Sequence, residues 1–234
     1  MTRLCLDTSG PVAGVALMED GRVRYEAMAV NAFTHSRSIL PMAEEAYQKT
    51  GKTIGETDYF AVTVGPGSFT GVRIGVSTVK AMAHALNRPC IAVDALEAMA
   101  AGVAHFPGAI CPLQDARAGQ VYGALFRGGT LERLMPDTPV KIEAFAEKAA
   151  SFGLPMLFLG DGMPVHRETL EALLGEQAHF ASPHLSYLRP AAAAALAWSR
   201  REEAVHYSVL SPLYLRPPQA ERQKNLAERA NGQA

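Results

Sequence analysis

The residues best placed to do chemistry in this chain form a glycine-rich loop, Gly65-Pro66-Gly67-Ser68-Phe69-Thr70-Gly71-Val72-Arg73-Ile74-Gly75. The apolar stretch 60–64 before it predicts a buried strand, and residues 72–86 after it predict a helix. A strand, a glycine-rich turn and a helix in this order can aim free backbone N–H groups at an anion such as a phosphate. The candidate binding residues of the loop are Gly65, Gly67, Ser68, Thr70, Gly71 and Arg73.

Known phosphate-binding loops match this stretch only in part. A Walker A loop needs Lys after its last glycine, and here Val72 follows Gly71. A looser dinucleotide pattern, G-x-G-x-x-x-G, is present, but that pattern belongs on the first strand of a βαβ unit, and three strands are predicted before it. A simpler interpretation is a tight turn without a ligand, in which Ser68 or Thr70 caps the helix.

A second candidate site is the short run Asp7-Thr8-Ser9, which follows the first predicted strand. Asp7 could orient a metal-bound water below a phosphate. The alternative is a turn aspartate whose carboxylate accepts hydrogen bonds from nearby N–H groups.

Residues for a metal site or a nucleophile are missing from the sequence. Two histidines four apart share a helix face and can hold one ion, but none of the seven histidines has a partner at that spacing. The three cysteines form no C-x-x-C pair, and no G-x-S-x-G elbow surrounds Ser68. We therefore predict no metal site and no catalytic residue in this chain.

Composition narrows the classes further. The chain has 234 residues, of which 48% are hydrophobic, and a net charge of −1, so no overall field attracts nucleic acid or an anionic membrane. An odd number of cysteines in apolar stretches predicts free thiols in a reducing compartment. The longest apolar run, 191–198, is too short to span a bilayer. We expect a soluble cytoplasmic protein.

The predicted elements occur twice. The first half is predicted as βββαβαβ plus a helix, and the second half repeats that order. Asp7 and Asp115 are 108 positions apart, as are Gly21 and Gly129. Repetition in one register predicts an α/β fold of two similar lobes, residues 1–106 and 107–216, followed by a polar tail, 217–234, that we expect to be flexible.

These features resemble the actin-like ATPase superfamily, whose two lobes are pseudo-repeated, RNase H-like βββαβαβα units and whose first hairpin cradles phosphate. Within it, the eleven-residue glycine-rich loop resembles the signature of the TsaB family. Supporting matches are His35-Ser36 before Leu40-Pro41, Asp115-Ala116-Arg117 with Val121-Tyr122, and Pro212-Leu213-Tyr214-Leu215-Arg216. Across 130–200 the match is generic.

The resemblance implies a role in tRNA modification. TsaB-like proteins are non-catalytic dimerization subunits that pair with a catalytic paralogue, TsaD, and with a small ATPase, TsaE. The complex transfers a threonylcarbamoyl group to N6 of adenosine 37 in ANN-decoding tRNAs. The resemblance further implies that the chain on its own binds no cofactor and forms a homodimer. It also implies that ATP or ADP binds only at an interface with a partner and that tRNA is contacted only through the complex. In this interpretation Asp7, Thr8 and Ser9 are a vestigial phosphate hairpin. The alternative is a small-molecule kinase or ATPase of the same superfamily.

The most specific expectation for a partner surface concerns two helices, near 36–49 and 72–86. Small and apolar residues on both suggest packing against the helices of another chain, although the two helices could also cover each other inside one lobe. The predicted interface consists of Ile39, Met42, Ala46, Ile74, Thr78, Ala81 and Ala85.

Overall fold

The computed structural model describes residues 1–30 and 34–216. Within them, ten strands form two five-stranded sheets, with helices packed on their faces. The first lobe contains β1 (Thr2–Asp7), β2 (Ala13–Glu19), β3 (Arg22–Ala29), α1 (His35–Thr50), β4 (Thr57–Gly65), α2 (Phe69–Leu86), β5 (Cys90–Asp94) and α3 (Ala95–Ala101). The second sheet and its helices follow as β6 (Ala109–Asp115), β7 (Gln120–Arg127), β8 (Arg133–Lys141), α4 (Ile142–Ala150), β9 (Met156–Leu159), α5 (Gly162–Leu174) and β10 (Ala178–Phe180), and the last helix is α6 (Pro190–Ser199).

The two sheets are built alike. Their strand orders are β3-β2-β1-β4-β5 and β8-β7-β6-β9-β10. In each, the first strand pairs antiparallel with the second and parallel with the fourth. β1 ends at Asp7 and β6 ends at Asp115, so the two aspartates hold equivalent places. The predicted α/β fold of two repeated lobes is confirmed.

The last part of the chain departs from the predicted division. The sequence predicts a second lobe over 107–216, and the chain does pass from α3 to β6 near residue 106. Helix α6, however, packs on the first sheet, where a Cβ added to Gly14 of β2 would lie 2.4 Å from Pro190 Cγ. Glu26 of β3 holds the start of α6, because its carboxylate pairs with Arg189 and accepts from the Ala191 N–H at 3.0 Å. The first lobe therefore also includes helix α6.

Several element boundaries also differ from the predictions. α2 begins three residues before 72, since Ser68 is its N-cap. α5 begins at Gly162 instead of 168, because a proline in the first helical turn, here Pro164, is tolerated. α6 ends at Ser199 and not at 203, and the short strand β10 was not predicted. The predicted tail, 217–234, lies outside the described residues.

The core has three parts. One lies between the first sheet and helices α1 and α2, one fills the second lobe, and one joins the lobes through α3 and α6. In the part of the chain that the structure describes, no helix combines the length and apolar character needed to cross a membrane.

Candidate functional site

The glycine-rich loop packs directly on the first hairpin. A Cβ added to Gly71 would lie 2.1 Å from the Thr8 carbonyl oxygen, and one added to Gly75 would lie 2.4 Å from Thr8 Oγ1. Gly67 meets the Ser9 carbonyl oxygen in the same way, at 2.2 Å. Gly67 and Gly71 are therefore required by the close approach of two backbone segments, and Gly75 by the position of the Thr8 side chain.

Hydrogen bonds fasten the loop to the hairpin. The Ser68 N–H donates to the Ser9 carbonyl at 2.7 Å, and Thr8 Oγ1 donates to the Gly71 carbonyl at 2.7 Å. Ser68 also caps α2, since its Oγ accepts from the Gly71 N–H at 3.2 Å. Some backbone N–H and carbonyl groups of the loop are therefore hydrogen-bonded to the hairpin. Of the two predicted capping residues, Ser68 and not Thr70 caps α2.

Asp7 is turned inward. It is buried and accepts from the Ser9 N–H at 3.0 Å, from Ser9 Oγ at 2.7 Å and from Thr63 Oγ1. Burial raises the pKa of Asp7, against the opposing effect of these hydrogen bonds. Its contacts match the predicted alternative, a turn aspartate satisfied by its neighbours.

A cleft of about 520 Å³ lies between the two lobes. The loop residues Ser68 and Thr70 line one wall, and Asp115, Arg117 and Asp161 of the second lobe line the other. Burial raises the pKa of Asp161 to about 6. Arg117 lies at φ +67° on the turn after β6, and its side chain is exposed.

The two walls of this cleft differ in chemistry. On the first lobe the glycine loop packs against Ser9, and the Ser68 N–H donates to the Ser9 carbonyl. The opposite wall presents two carboxyl groups, Asp115 and Asp161, which repel phosphate when ionised. The side chains of Asp7, Thr8 and Ser9 hydrogen-bond to the hairpin itself, to Thr63 and to the glycine loop.

The segment after α6 forms a strap along the first lobe. Val205 pairs with Cys90 at the start of β5, and the Leu213 N–H donates to the Val64 carbonyl at 2.7 Å. Tyr214 then stacks on Phe69 with ring centroids 4.8 Å apart, and its hydroxyl accepts from Arg73 Nε at 2.7 Å. The sequence marks this strap only as the matching run 212–216; its position against the loop was not predicted.

Helices α1 and α2 lie side by side on the first sheet, and only part of the predicted interface is accessible. Ile39 and Ala46 are wrong as contact residues, because they are buried in the core of their own lobe. The apolar stripe of α1 packs on the first sheet, which a single helix pattern cannot show. Ala81 and Ala85 are exposed, and Met42, Ile74 and Thr78 are half-buried.

An apolar groove of about 550 Å³ adjoins this surface. Leu40, Pro41, Tyr47, Ile54 and Met82 line it, and the side chain of Leu40 is 52% exposed. We call the exposed and half-buried residues of α1 and α2 together with this groove the α1/α2 face.

Comparisons with known proteins identify the family. The family model described as "TsaD: tRNA N6-adenosine threonylcarbamoyltransferase" matches residues 29–224. The "tRNA threonylcarbamoyladenosine biosynthesis protein TsaB" of Bacillus subtilis is 35% identical over 223 residues, which cover 94% of this chain and 96% of that protein. The chain belongs to the TsaB family. A tRNA N6-adenosine threonylcarbamoyltransferase of Syntrophobacter fumaroxidans matches only 42% of this chain and 33% of its own length, at 34% identity.

A solved structure of another protein shares this fold. A Pseudomonas aeruginosa protein with similarity to peptidase YEAZ has a TM-score of 0.74 and 27% identity, covering 92% of this chain and 99% of that one.

Among the described residues, no group of three or more His, Cys, Asp and Glu side chains could hold a metal ion. His35, the histidine before α1, contacts the Gly10 carbonyl oxygen through Nε2 at 2.9 Å.

Proposed function

We propose that this chain is a non-catalytic subunit that binds and activates a TsaD-like catalytic partner for threonylcarbamoyl transfer to N6 of adenosine 37 in ANN-decoding tRNAs. The relatives from Bacillus subtilis and Escherichia coli are both named as tRNA threonylcarbamoyladenosine biosynthesis proteins. The observation that carries the proposal is the α1/α2 face, where Leu40, Ala81 and Ala85 lie exposed.

The α1/α2 face has the properties of a helix-packing interface. Ala81 and Ala85 allow a partner helix to approach closely, because small side chains shorten the distance between helix axes. Leu40 and Met82 supply apolar area in the adjoining groove. A specific interface buries about 1,200–2,000 Å² in total, which two helices and a groove per subunit can provide.

The non-catalytic role rests on the contacts of the candidate residues. Asp7 is buried and hydrogen-bonded, Ser68 caps α2, and Thr8 holds the glycine loop. These contacts within the protein support a structural role for the three side chains. On this proposal the chain needs no cofactor of its own, and ATP or ADP binds only where a partner completes the site.

The wider assembly is part of the same proposal. A TsaE-like small ATPase would join the complex, tRNA would contact it only as a whole, and the chain alone would form a homodimer through the α1/α2 face. The proposal places the protein in the cytoplasm.

A drop-out assay tests the function. The assay combines the purified chain with a TsaD-like protein, a TsaE-like protein and the enzyme that forms the donor, threonylcarbamoyl-adenylate. The substrates are tRNA, threonine, bicarbonate and ATP, and each protein is omitted in turn. We expect no modified adenosine without the TsaD-like protein and little without this chain. Robust modification by this chain in the absence of a TsaD-like protein would contradict the proposal.

Nucleotide binding separates this function from the alternative kinase or ATPase. Titration calorimetry of the chain alone with Mg·ATP should give a Kd weaker than about 1 μM, roughly −8 kcal/mol. Tighter binding would favour the alternative.

A further inference from the structure

Five charged side chains meet where the second lobe packs on the first. Two belong to the first lobe and two to β8, and the fifth follows α6; they are Asp94, Glu97, Arg133, Asp137 and Arg200. Asp94 is also the N-cap of α3, because its Oδ1 accepts from the Glu97 N–H at 2.8 Å. The cluster lies outside the cleft and outside the α1/α2 face.

Arg133 bridges the two lobes within this cluster, and Arg200 supports it from the first lobe. Arg133 Nη2 on β8 lies 3.4 Å from Asp94 Oδ2 and 3.7 Å from Glu97 Oε2, and the same guanidinium also contacts Asp137. Arg200 holds Glu97 through two nitrogens, one of them at 3.0 Å. The carboxyl side chains are only 11–16% exposed, so these contacts are poorly screened by solvent.

Two of the acids face each other. Asp94 and Asp137, one from each lobe, both contact the guanidinium of Arg133, Asp94 through Oδ2 and Asp137 through Oδ1. Two poorly exposed carboxyl groups at one site favour a single shared proton, because two carboxylates repel. The cluster has three carboxyl groups against two guanidinium groups, so one bound proton neutralises its excess negative charge. Burial, followed by the neighbouring Asp137, raises the pKa of Asp94 to about 7, while the Glu97 N–H and Arg133 act in the opposite direction.

We propose that Asp94 and Asp137 share a proton across the lobe boundary and so form a pH-sensitive clasp that holds the second lobe on the first. When the proton is lost, two carboxylates face each other and repel. Arg133 and Arg200 remain to offset part of that repulsion, and Glu97, already paired with Arg200, adds negative charge. Because both lobes line the cleft, a loosened clasp lets its walls move apart.

The pH window follows from the sign of the shift. The clasped state holds a proton that the open state, with an ordinary Asp pKa near 3.8, gives up. The clasp is therefore strongest below about pH 4, weakens as pH rises to about 7 and is constant above that. One proton corresponds to a tenfold change in the opening constant per pH unit within the window.

Hydrogen exchange of the full chain tests the clasp. Exchange into the amides of β8 is followed by mass spectrometry from pH 5 to pH 8 and corrected for the intrinsic exchange rate. In the wild type we expect the opening constant of β8 to rise up to tenfold per unit between pH 5 and pH 7 and to level off above. Asp94→Asn and Asp137→Asn should remove this dependence, and Asp94→Asn keeps an N-cap for α3 because Asn caps helices well.

A matched control separates the clasp from other buried carboxyls. Asp161→Asn removes a second carboxyl of raised pKa, yet it should leave the pH dependence of β8 between pH 6 and pH 7 in place. The proposal is overturned if β8 in the wild type shows no pH dependence, or if Asp94→Asn retains it. It is also overturned if the same dependence appears equally in β1 and β4, because the proton then stabilises the whole fold and not the contact between lobes.

Discussion

Replacing Gly71 with alanine tests whether the glycine-rich loop is a packing device. The new Cβ would lie 2.1 Å from the Thr8 carbonyl oxygen. The two backbone segments must therefore move apart by roughly 1 Å or more before this carbon and oxygen reach van der Waals distance. Overpacking of this kind costs about 1–3 kcal/mol. The separation also weakens the bond from Thr8 Oγ1 to the Gly71 carbonyl, worth about 1 kcal/mol. We expect Gly71→Ala to lower the free energy of unfolding by about 2–4 kcal/mol.

Urea denaturation followed by circular dichroism measures this change, with Gly55→Ala as the control. Gly55 has an ordinary φ, and the nearest atom to an added Cβ is Thr53 Oγ1 at 3.9 Å. That variant should be within about 0.5 kcal/mol of the wild type. If Gly71→Ala is as stable as Gly55→Ala, the loop does not press on the hairpin as described. The glycines would then need another explanation, such as approach to a ligand.

Two further substitutions probe the lobes. Trp198→Ala should lower the free energy of unfolding by about 2–4 kcal/mol, because the buried Arg3 guanidinium, 3.6 Å from the ring centroid, loses its cation–π partner. Trp198→Phe keeps an aromatic ring and should lose less stability. Equal losses for the two variants in urea denaturation would argue against the contact. Asp161, whose pKa is raised to about 6 by burial, favours its protonated form in the folded state, so its contribution is full below about pH 3.8 and is lost as pH rises to 6. Asp161→Asn should flatten the fall in stability over that range by up to about 1.4 kcal/mol per pH unit, and an unchanged profile would contradict it.

The fold was largely predictable because its signals are local. The hairpin signal at Asp20-Gly21 predicts the turn between β2 and β3, where both residues have positive φ. Alternating and helical periodicity locate the strands and helices of each lobe. The equal spacing of Asp7 and Asp115 predicts the repeat, which the matching strand orders confirm.

The parts that were missed depend on contacts distant in sequence. No local pattern pairs Thr8 with Gly71, which are 63 positions apart. Nor does periodicity reveal which sheet the alanine-rich helix α6 packs on, because a helix of small apolar residues has no distinct polar face. The same limit explains Ile39 and Ala46, since an apolar stripe indicates burial without identifying the covering surface.

The glycine-rich loop shows how one sequence pattern can fit two interpretations. A glycine-rich loop before a helix is typical of phosphate sites, but the same sequence also fits a tight turn that binds no ligand. The distances from Gly67 and Gly71 to the hairpin carbonyls favour the second. The functional surface of this chain, on our account, is the α1/α2 face and not the loop.

Binding of a TsaD-like partner to an Ala85→Arg variant tests that account most directly. Ala85 is exposed on the α1/α2 face, and burying an unpaired charge in an interface costs several kcal/mol. Ala195→Arg, at an exposed alanine of α6 outside the α1/α2 face, is the matched control. Titration calorimetry should show at least about a hundredfold weaker binding for Ala85→Arg, near 3 kcal/mol, and near wild-type binding for Ala195→Arg, with thermal melts of both variants close to the wild type. An intact complex with Ala85→Arg, or a collapsed melt of that variant, would contradict the account.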